Sequence, residues 1–308
     1  MTDRAHGGVG YQVSGSPGSP AIFPSLRRVS PGLWRRRDKA PPATDRTLAP
    51  DDSSVARTSS HPGGDMAIRL EQVTKSFAGR TVLDNVTIDV RSGTAFCLLG
   101  RSGTGKSVTL KHIVGLLKPD AGRVLVHGAD VSSLTGRELA NVRKRMGFLF
   151  QSAALFDSIT VGENVAFPLR RHTDWPDHRI RETAARRLAA VGLERDYHRM
   201  PSDLSGGMRK RAGLARAMAL DPDILLVDEP SAGLDPITSA EIDDLLLTLK
   251  QEGTTIVVVT HNIPSARHVG DELAMLHEGR IIAQGTAADL DRSEHPLVRA
   301  FMRSEGAG

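Results

Sequence analysis

One cysteine in 308 residues, Cys97, has no partner for an internal disulfide and fits a reducing compartment. It stands in the apolar run AFCLL, so a buried strand residue is expected there rather than a reactive thiol. Long apolar runs are missing as well. TIVVVT and ILLV are strand-sized, well short of the roughly 18 residues that a spanning helix needs. If the protein works at a membrane, another chain crosses it. There is no internal repeat, and most of the chain lacks a surplus of either charge. The sequence pI of about 9.4 suggests a nucleic-acid or membrane-surface binder. Yet residues 1–65 hold nine Arg or Lys against six Asp, while the remainder carries 31 basic and 30 acidic residues. The basicity belongs to the tail.

That tail, residues 1–65, contains eight of the seventeen prolines and no helical or strand periodicity. A Pro/Ser/Arg-rich extension buries too little apolar surface to offset its ordering entropy, so disorder is expected. Its basic cluster LRRVSPGLWRRR precedes no apolar stretch, and a secretory leader is not expected. From Met66 the texture changes. IRLEQVTKSF and TVLDNVTIDV alternate around AGR, which reads as a hairpin. SGTAFCLLG is a short buried strand, VTLKHIVGLL a helix, GRVLVHG a strand, and MGFLFQ a strand after a basic helix. Residues 177–220 read as mostly helical. DILLVDEP, AEIDDLLLTLKQEG and TTIVVVTH then alternate strand, helix and strand, and ELAMLHEGRIIAQG closes with a hairpin. Strands alternating with helices predict an α/β fold around a parallel sheet. The hairpins at both ends predict a small antiparallel β-subdomain beside it.

GRSGTGKS at 100–107 fits G-x-x-x-x-G-K-[ST] with a strand before and a helix after. Gly100, Arg101, Ser102, Gly103, Thr104 and Gly105 form a loop whose amides converge on anionic oxygens at a helix N-terminus. Lys106 brings a charge to nucleotide β- and γ-phosphates, and Ser107 offers a hydroxyl to Mg²⁺.

ILLVDEP ends a buried strand in two acids, which is costly unless those charges meet a cation or water. Asp228 is the candidate Mg²⁺ residue and Glu229 the candidate general base. Gln151, ending MGFLFQ, could hold both metal and attacking water. His261, ending TTIVVVTH, could donate to the γ-phosphate. In a parallel sheet the C-terminal strand ends gather on the ligand side, which would bring all four together. Phe77, before the first hairpin turn, either stacks on adenine or fills the subdomain core.

These segments, with LSGGM (204–208) and SAGLD (231–235), make residues 67–290 resemble the ATP-binding subunit of ABC transporters. The resemblance implies a P-loop NTPase (RecA-like) parallel-sheet core, an antiparallel β-subdomain and an α-helical signature subdomain at about 152–220, within a nucleotide-binding domain of residues 66–308. It also implies a homodimer that sandwiches two ATP molecules head to tail. Ser205, Gly206 and Gly207 of one copy would face the γ-phosphate held by the other, and Asp235 would communicate across the interface. Glycines would be needed there to let backbone and phosphate approach. Met208 stands where many members have Gln. With MGFLFQSAALFDSITVGENVAFPLR and the final HPLVRAFMRSEG, it is similar to the subset that powers lipid-handling transporters.

The partners so implied are an integral membrane permease and a periplasmic or membrane-anchored substrate-binding protein of the mammalian-cell-entry (Mce) type. The implied place is the cytoplasmic face of the inner membrane, peripherally bound. ATP and Mg²⁺ are the implied cofactors, and no nucleic-acid partner is expected. Two other readings stay open: the ATPase of another small-molecule importer, for amino acids or sterols, and a non-transport ATPase in nucleic-acid maintenance. A single nucleotide module, without a long coiled-coil or zinc insertion, argues for transport.

Overall fold

In the computed structural model, residues 65–304 are described. The expected disordered extension, residues 1–65, therefore lies outside the described residues apart from Asp65.

The alternating N-terminal segments pair as expected. Strands β1 (Met66–Phe77) and β2 (Arg80–Arg91) form an antiparallel hairpin around Ala78 and Gly79. The chain then enters a buried strand, β3 (Ala95–Leu99), and through the phosphate loop reaches α1 (Lys106–Ile113). This helix is shorter than VTLKHIVGLL predicted. It stops where Gly115 takes a positive φ.

Next come β4 (Ala121–Val126), the short β5 (Ala129–Asp130), α2 (Gly136–Lys144) and β6 (Met146–Leu149). Helices α3 (Val161–His172), α4 (Asp177–Ala190) and α5 (Gly206–Ala217) follow. The expected helical stretch 177–220 is broken across 191–205, where the regular structure is one 3₁₀ turn at Pro201–Asp203. The chain ends as β7 (Ile224–Asp228), α6 (Pro236–Gln251), β8 (Thr255–Thr260), α7 (Ile263–Val269), β9 (Glu272–His277), β10 (Arg280–Gly285), α8 (Ala287–Asp291) and α9 (Pro296–Arg303).

The strands sort into two sheets. The larger runs β10-β9-β3-β8-β7-β6, parallel except for the β9–β10 edge; the smaller runs β2-β1-β4-β5 and is antiparallel. One expectation is corrected by this order. The C-terminal hairpin does not join the β-subdomain: β9 pairs in parallel with β3, Cys97 opposite Leu273. The interior residues of β9 are buried one after another, which requires cover on both faces. The third long strand of the β-subdomain is instead GRVLVHG, whose Ile68↔Val126 register with β1 leaves one face to solvent.

Both faces of the larger sheet are covered. Ala95, Cys97 and Leu99 point into one core, shared with α3–α7. Phe96 and Leu98 point into the other, between this sheet, α1 and the antiparallel sheet. β7 and β8 alternate the same way, so their C-terminal ends are held rigidly beside the phosphate loop. No helix among the described residues is long and apolar enough to cross a membrane.

Candidate nucleotide site

The loop between β3 and α1 is shaped by contacts that exclude side chains. A Cβ on Gly100 would fall 2.5 Å from the Leu276 carbonyl, and one on Gly105, at φ +108°, 2.9 Å from Leu83 Cδ2. The Thr104 hydroxyl donates to the Arg101 carbonyl at 2.9 Å and tightens the turn, while Arg101, Ser102 and Gly103 are exposed.

Lys106, at the first turn of α1, is buried and fully engaged. Its Nζ donates to the carbonyls of Gly100 (2.8 Å) and Arg101 (3.1 Å) and lies 3.2 Å from Glu229 Oε1. Three ammonium hydrogens meet three acceptors. The other Glu229 oxygen, Oε2, is 2.9 Å from His261 Nδ1 and accepts the His261 backbone N–H at 3.3 Å. Beside this triad the Ser107 hydroxyl donates to Asp228 Oδ1 at 3.0 Å. Burial pushes the Asp228 carboxyl above its ordinary range, opposed first by that hydroxyl.

A cavity of about 230 Å³ opens onto the group, lined by Ser102, Gly103, Gly105 to Val108, Gln151, Glu229, His261 and Val82. Gln151 reaches it from an exposed turn, not from the strand end, because β6 stops at Leu149. Phe77 is 41% exposed, with the Lys75 ammonium 5.5 Å from its ring centre, so it does not fill the subdomain core.

Ser205, Gly206, Gly207 and Asp235 are not brought to this cavity. Ser205 caps α5, its Oγ accepting the Met208 N–H at 3.2 Å. Asp235 caps α6, accepting from the N–H groups of Ile237 and Thr238 at 3.0 Å each and from the Thr238 hydroxyl at 2.6 Å. The Thr238 hydroxyl, then the backbone amides, hold its carboxyl below the usual range. The two glycines differ. A Cβ on Gly206 would meet only Leu234, at 3.4 Å, whereas one on Gly207 would fall 2.3 Å from Thr238 Cγ2. Gly207 is thus required by packing of α5 on α6 within the chain, a reason separate from phosphate approach.

One residue escaped the sequence reading. Lys210, amid the basic run RKR, is buried, and its Nζ donates to the Glu229 carbonyl at 3.0 Å. The signal was its spacing: Gly207, Lys210 and Leu214 share the buried face of α5.

Against known proteins, the profile of the family described as "ABC transporter" matches residues 83–232. The probable ribonucleotide transport ATP-binding protein mkl of Mycobacterium leprae is 43% identical over 244 residues, 79% of this chain and 70% of that protein. The chain belongs to the ABC transporter ATP-binding family. The intermembrane phospholipid transport system ATP-binding protein MlaF of Haemophilus influenzae is 41% identical over 242 residues, covering 78% of this chain and 92% of its own. Among solved structures, a dimeric ATP-binding cassette in a post-hydrolysis state with ADP and phosphate superposes with a TM-score of 0.67 at 34% identity. It covers 71% of this chain and 98% of that cassette. This ABC subunit is accordingly an ATP-binding and ATP-hydrolysing protein with a P-loop NTPase core.

Proposed function

We propose that this ABC ATPase powers phospholipid movement between bacterial membranes through a separate permease. The observation that carries the ATPase part is the convergence of Lys106, Ser107, Glu229 and His261 on one cavity, with Asp228 bonded behind Ser107. Lys106 and the loop amides would bind the β- and γ-phosphates, with Arg101, Ser102, Gly103 and Thr104 shaping the cradle. Glu229 would take a proton from the attacking water, and His261 and Gln151 would position the γ-phosphate. Phe77, half open to solvent, would stack on adenine.

A hydroxyl, an amide and a carboxylate whose charge burial disfavours until a cation meets it are the hard oxygen donors that suit Mg²⁺, so Ser107, Asp228 and Gln151 fit as its holders. When bound, the ion would neutralise charge on the phosphate oxygens.

Ser205 and Asp235 lie outside the cavity and are exposed. In our reading they complete the pocket of a second copy, with Gly206 free to approach its phosphate. The membrane partner would dock on the groove lined by Phe148, Phe150, Phe156, Phe167 and Arg216 next to Gln151, of about 530 Å³. Three of these rings are more than a third exposed. That would put the chain on the cytoplasmic face of the inner membrane, and an anchored Mce-type protein would be the substrate-binding partner.

The MlaF resemblance over 92% of that protein's length supports lipid, and the mkl resemblance favours a ribonucleotide cargo as second reading. The test is reconstitution with the co-purifying permease in vesicles. ATP-dependent transfer of labelled phospholipid, lost in Glu229→Gln, is expected. Ribonucleotide uptake without lipid transfer would overturn the lipid reading.

A further inference from the structure

Glu229 is gripped at both ends, and only one grip belongs to the pocket just described. Its carboxylate meets Lys106 and His261, whereas its carbonyl accepts the ammonium of Lys210 at 3.0 Å and the Ala232 N–H at 3.2 Å. The residue between those grips is conformationally awkward. Glu229 has φ +46°, in the left-handed region that non-glycine residues rarely adopt, and it precedes Pro230. Such a backbone persists only where its surroundings over-determine it. Its N–H donates to the Val259 carbonyl at 2.9 Å, fixing one side of the residue to β8; Lys210 is the side-chain contribution on the other.

Lys210 does this from a site where a lysine is costly. It is 5% exposed. Burial pulls its ammonium below its usual range, opposed first by Asp228 and then by Glu229. An apolar residue would fill the same buried face of α5 without that cost. What the charge adds is a directed hydrogen bond to one peptide, the peptide that aims the candidate base.

The position along the helix gives the contact its consequence. Ser205 caps α5, and Lys210 follows five residues later, on the order of 7.5 Å along the same rigid helix. The two ends of this short span face different nucleotides if the cassettes pair head to tail. Ser205 would touch the γ-phosphate bound by the partner, and Lys210 touches the base of its own pocket.

We propose that Lys210 is a positioning residue that holds the Glu229 peptide from the signature helix, so that nucleotide engaged by Ser205 in one pocket sets the aim of the base in the other. This rests on the head-to-tail sandwich proposed above. Turning the 229–230 peptide swings the carboxylate on its two-carbon stem, and a misplacement near 1 Å costs roughly 100-fold in rate. A base aimed productively only when both pockets are filled would appear as positive cooperativity in ATP.

The test uses the full-length chain and three readouts: nucleotide affinity, kcat with its Hill coefficient in ATP, and thermal midpoint. Lys210→Met keeps the length and apolar stem, so the chain folds with the Glu229 carbonyl still bonded to Ala232. We expect kcat to fall roughly 10- to 100-fold, the Hill coefficient to drop toward unity, and nucleotide affinity to change less than about threefold. Lys210→Arg, which keeps a donor, should recover part of kcat and of the cooperativity. Wild-type kcat and Hill coefficient in Lys210→Met would sink the idea, as would equal losses in affinity and thermal midpoint that arginine does not rescue. ATP-driven dimerisation of Glu229→Gln is run in parallel. If those dimers form while Lys210→Met stays cooperative, the sandwich stands and the lysine coupling falls. If no dimers form, both fall.

Discussion

Lys106 places a single ammonium among three acceptors of the pocket. Its Nζ lies 3.2 Å from Glu229 Oε1 and donates to the carbonyls of Gly100 and Arg101. In the proposed reading, nucleotide phosphates would offer this ammonium a stronger set of acceptors, so that binding ATP would free Glu229 to act as base. Lys106→Ala should therefore do two things. Losing one or two charge-assisted hydrogen bonds, at about 1.5–3 kcal/mol each, should weaken ATP binding at least roughly 10- to 100-fold. It should also leave a buried carboxylate without its cation. Titration with a fluorescent nucleotide checks the first; unchanged affinity would remove Lys106 from phosphate binding. Glu229→Gln keeps the shape and loses the proton acceptor. Turnover should fall by roughly 100-fold or more, with ATP-bound dimers accumulating on gel filtration; wild-type turnover would assign the base elsewhere. Cys97 makes a contrasting case. Burial, then the Asp243 charge, pushes its thiol up to about 12, so native protein should resist alkylation at pH 8 until global unfolding exposes it. Labelling that outruns unfolding would contradict the packing of β3.

At the scale of elements, the two glycines of LSGG separate folding from recognition. Gly207→Ala drives a methyl to 2.3 Å from Thr238 Cγ2 and must push α5 off α6, at a cost of about 1–3 kcal/mol. Gly206→Ala finds its nearest neighbour at 3.4 Å and should leave the thermal midpoint almost unchanged while impairing ATP-driven pairing. Equal destabilisation by both would show that Gly206 serves packing alone. The sequence marked both glycines but could not tell these roles apart, because the distinction lies in α6, thirty residues away in the chain. Lys210 was hidden for a similar reason. Flanked by Arg209 and Arg211 it looks like part of a solvated basic run, and only the 3.6-residue period assigns it to the buried face. Strand positions were legible because buried parallel strands are short, apolar and abruptly ended, although β6 stops two residues short of Gln151. Sheet membership was not: ELAMLH and GRVLVHG both read as strands, and which sheet each joins depends on whether one face or two are covered. Hairpin adjacency pointed β9 the wrong way, and the parallel pairing with β3 prevailed.

Among the described residues, a rigid sheet edge carries the candidate nucleotide site, and a phenylalanine-rich groove lies beside it. Residues 151–160 link the two, and one buried side chain organises them. Asn164 Oδ1 accepts the Phe156 N–H at 2.8 Å, while its amide donates to the carbonyls of Phe156 at 3.0 Å and Thr160 at 3.0 Å. Arg216 adds donors to the carbonyls of Ala153 and Ala154, at 2.9 and 2.7 Å. The result holds Phe156 against Phe167, ring centres 5.0 Å apart, with both more than two-fifths exposed. Paired aromatics kept at a surface by a satisfied polar scaffold suit an apolar segment of another chain. The same loop carries Gln151 to the candidate nucleotide cavity, so a segment seated on the groove and a phosphate in the pocket would share a mechanical element. Phe167→Asp lies on the exposed face of α3, outside the scaffold. It should leave the ATPase rate of the isolated subunit within about twofold and its folding intact. It should also abolish co-purification of the membrane permease and the transport coupled to it. Retained permease binding by this variant would move the docking surface elsewhere; a collapse of the isolated ATPase rate would mean that the groove serves the pocket rather than a partner.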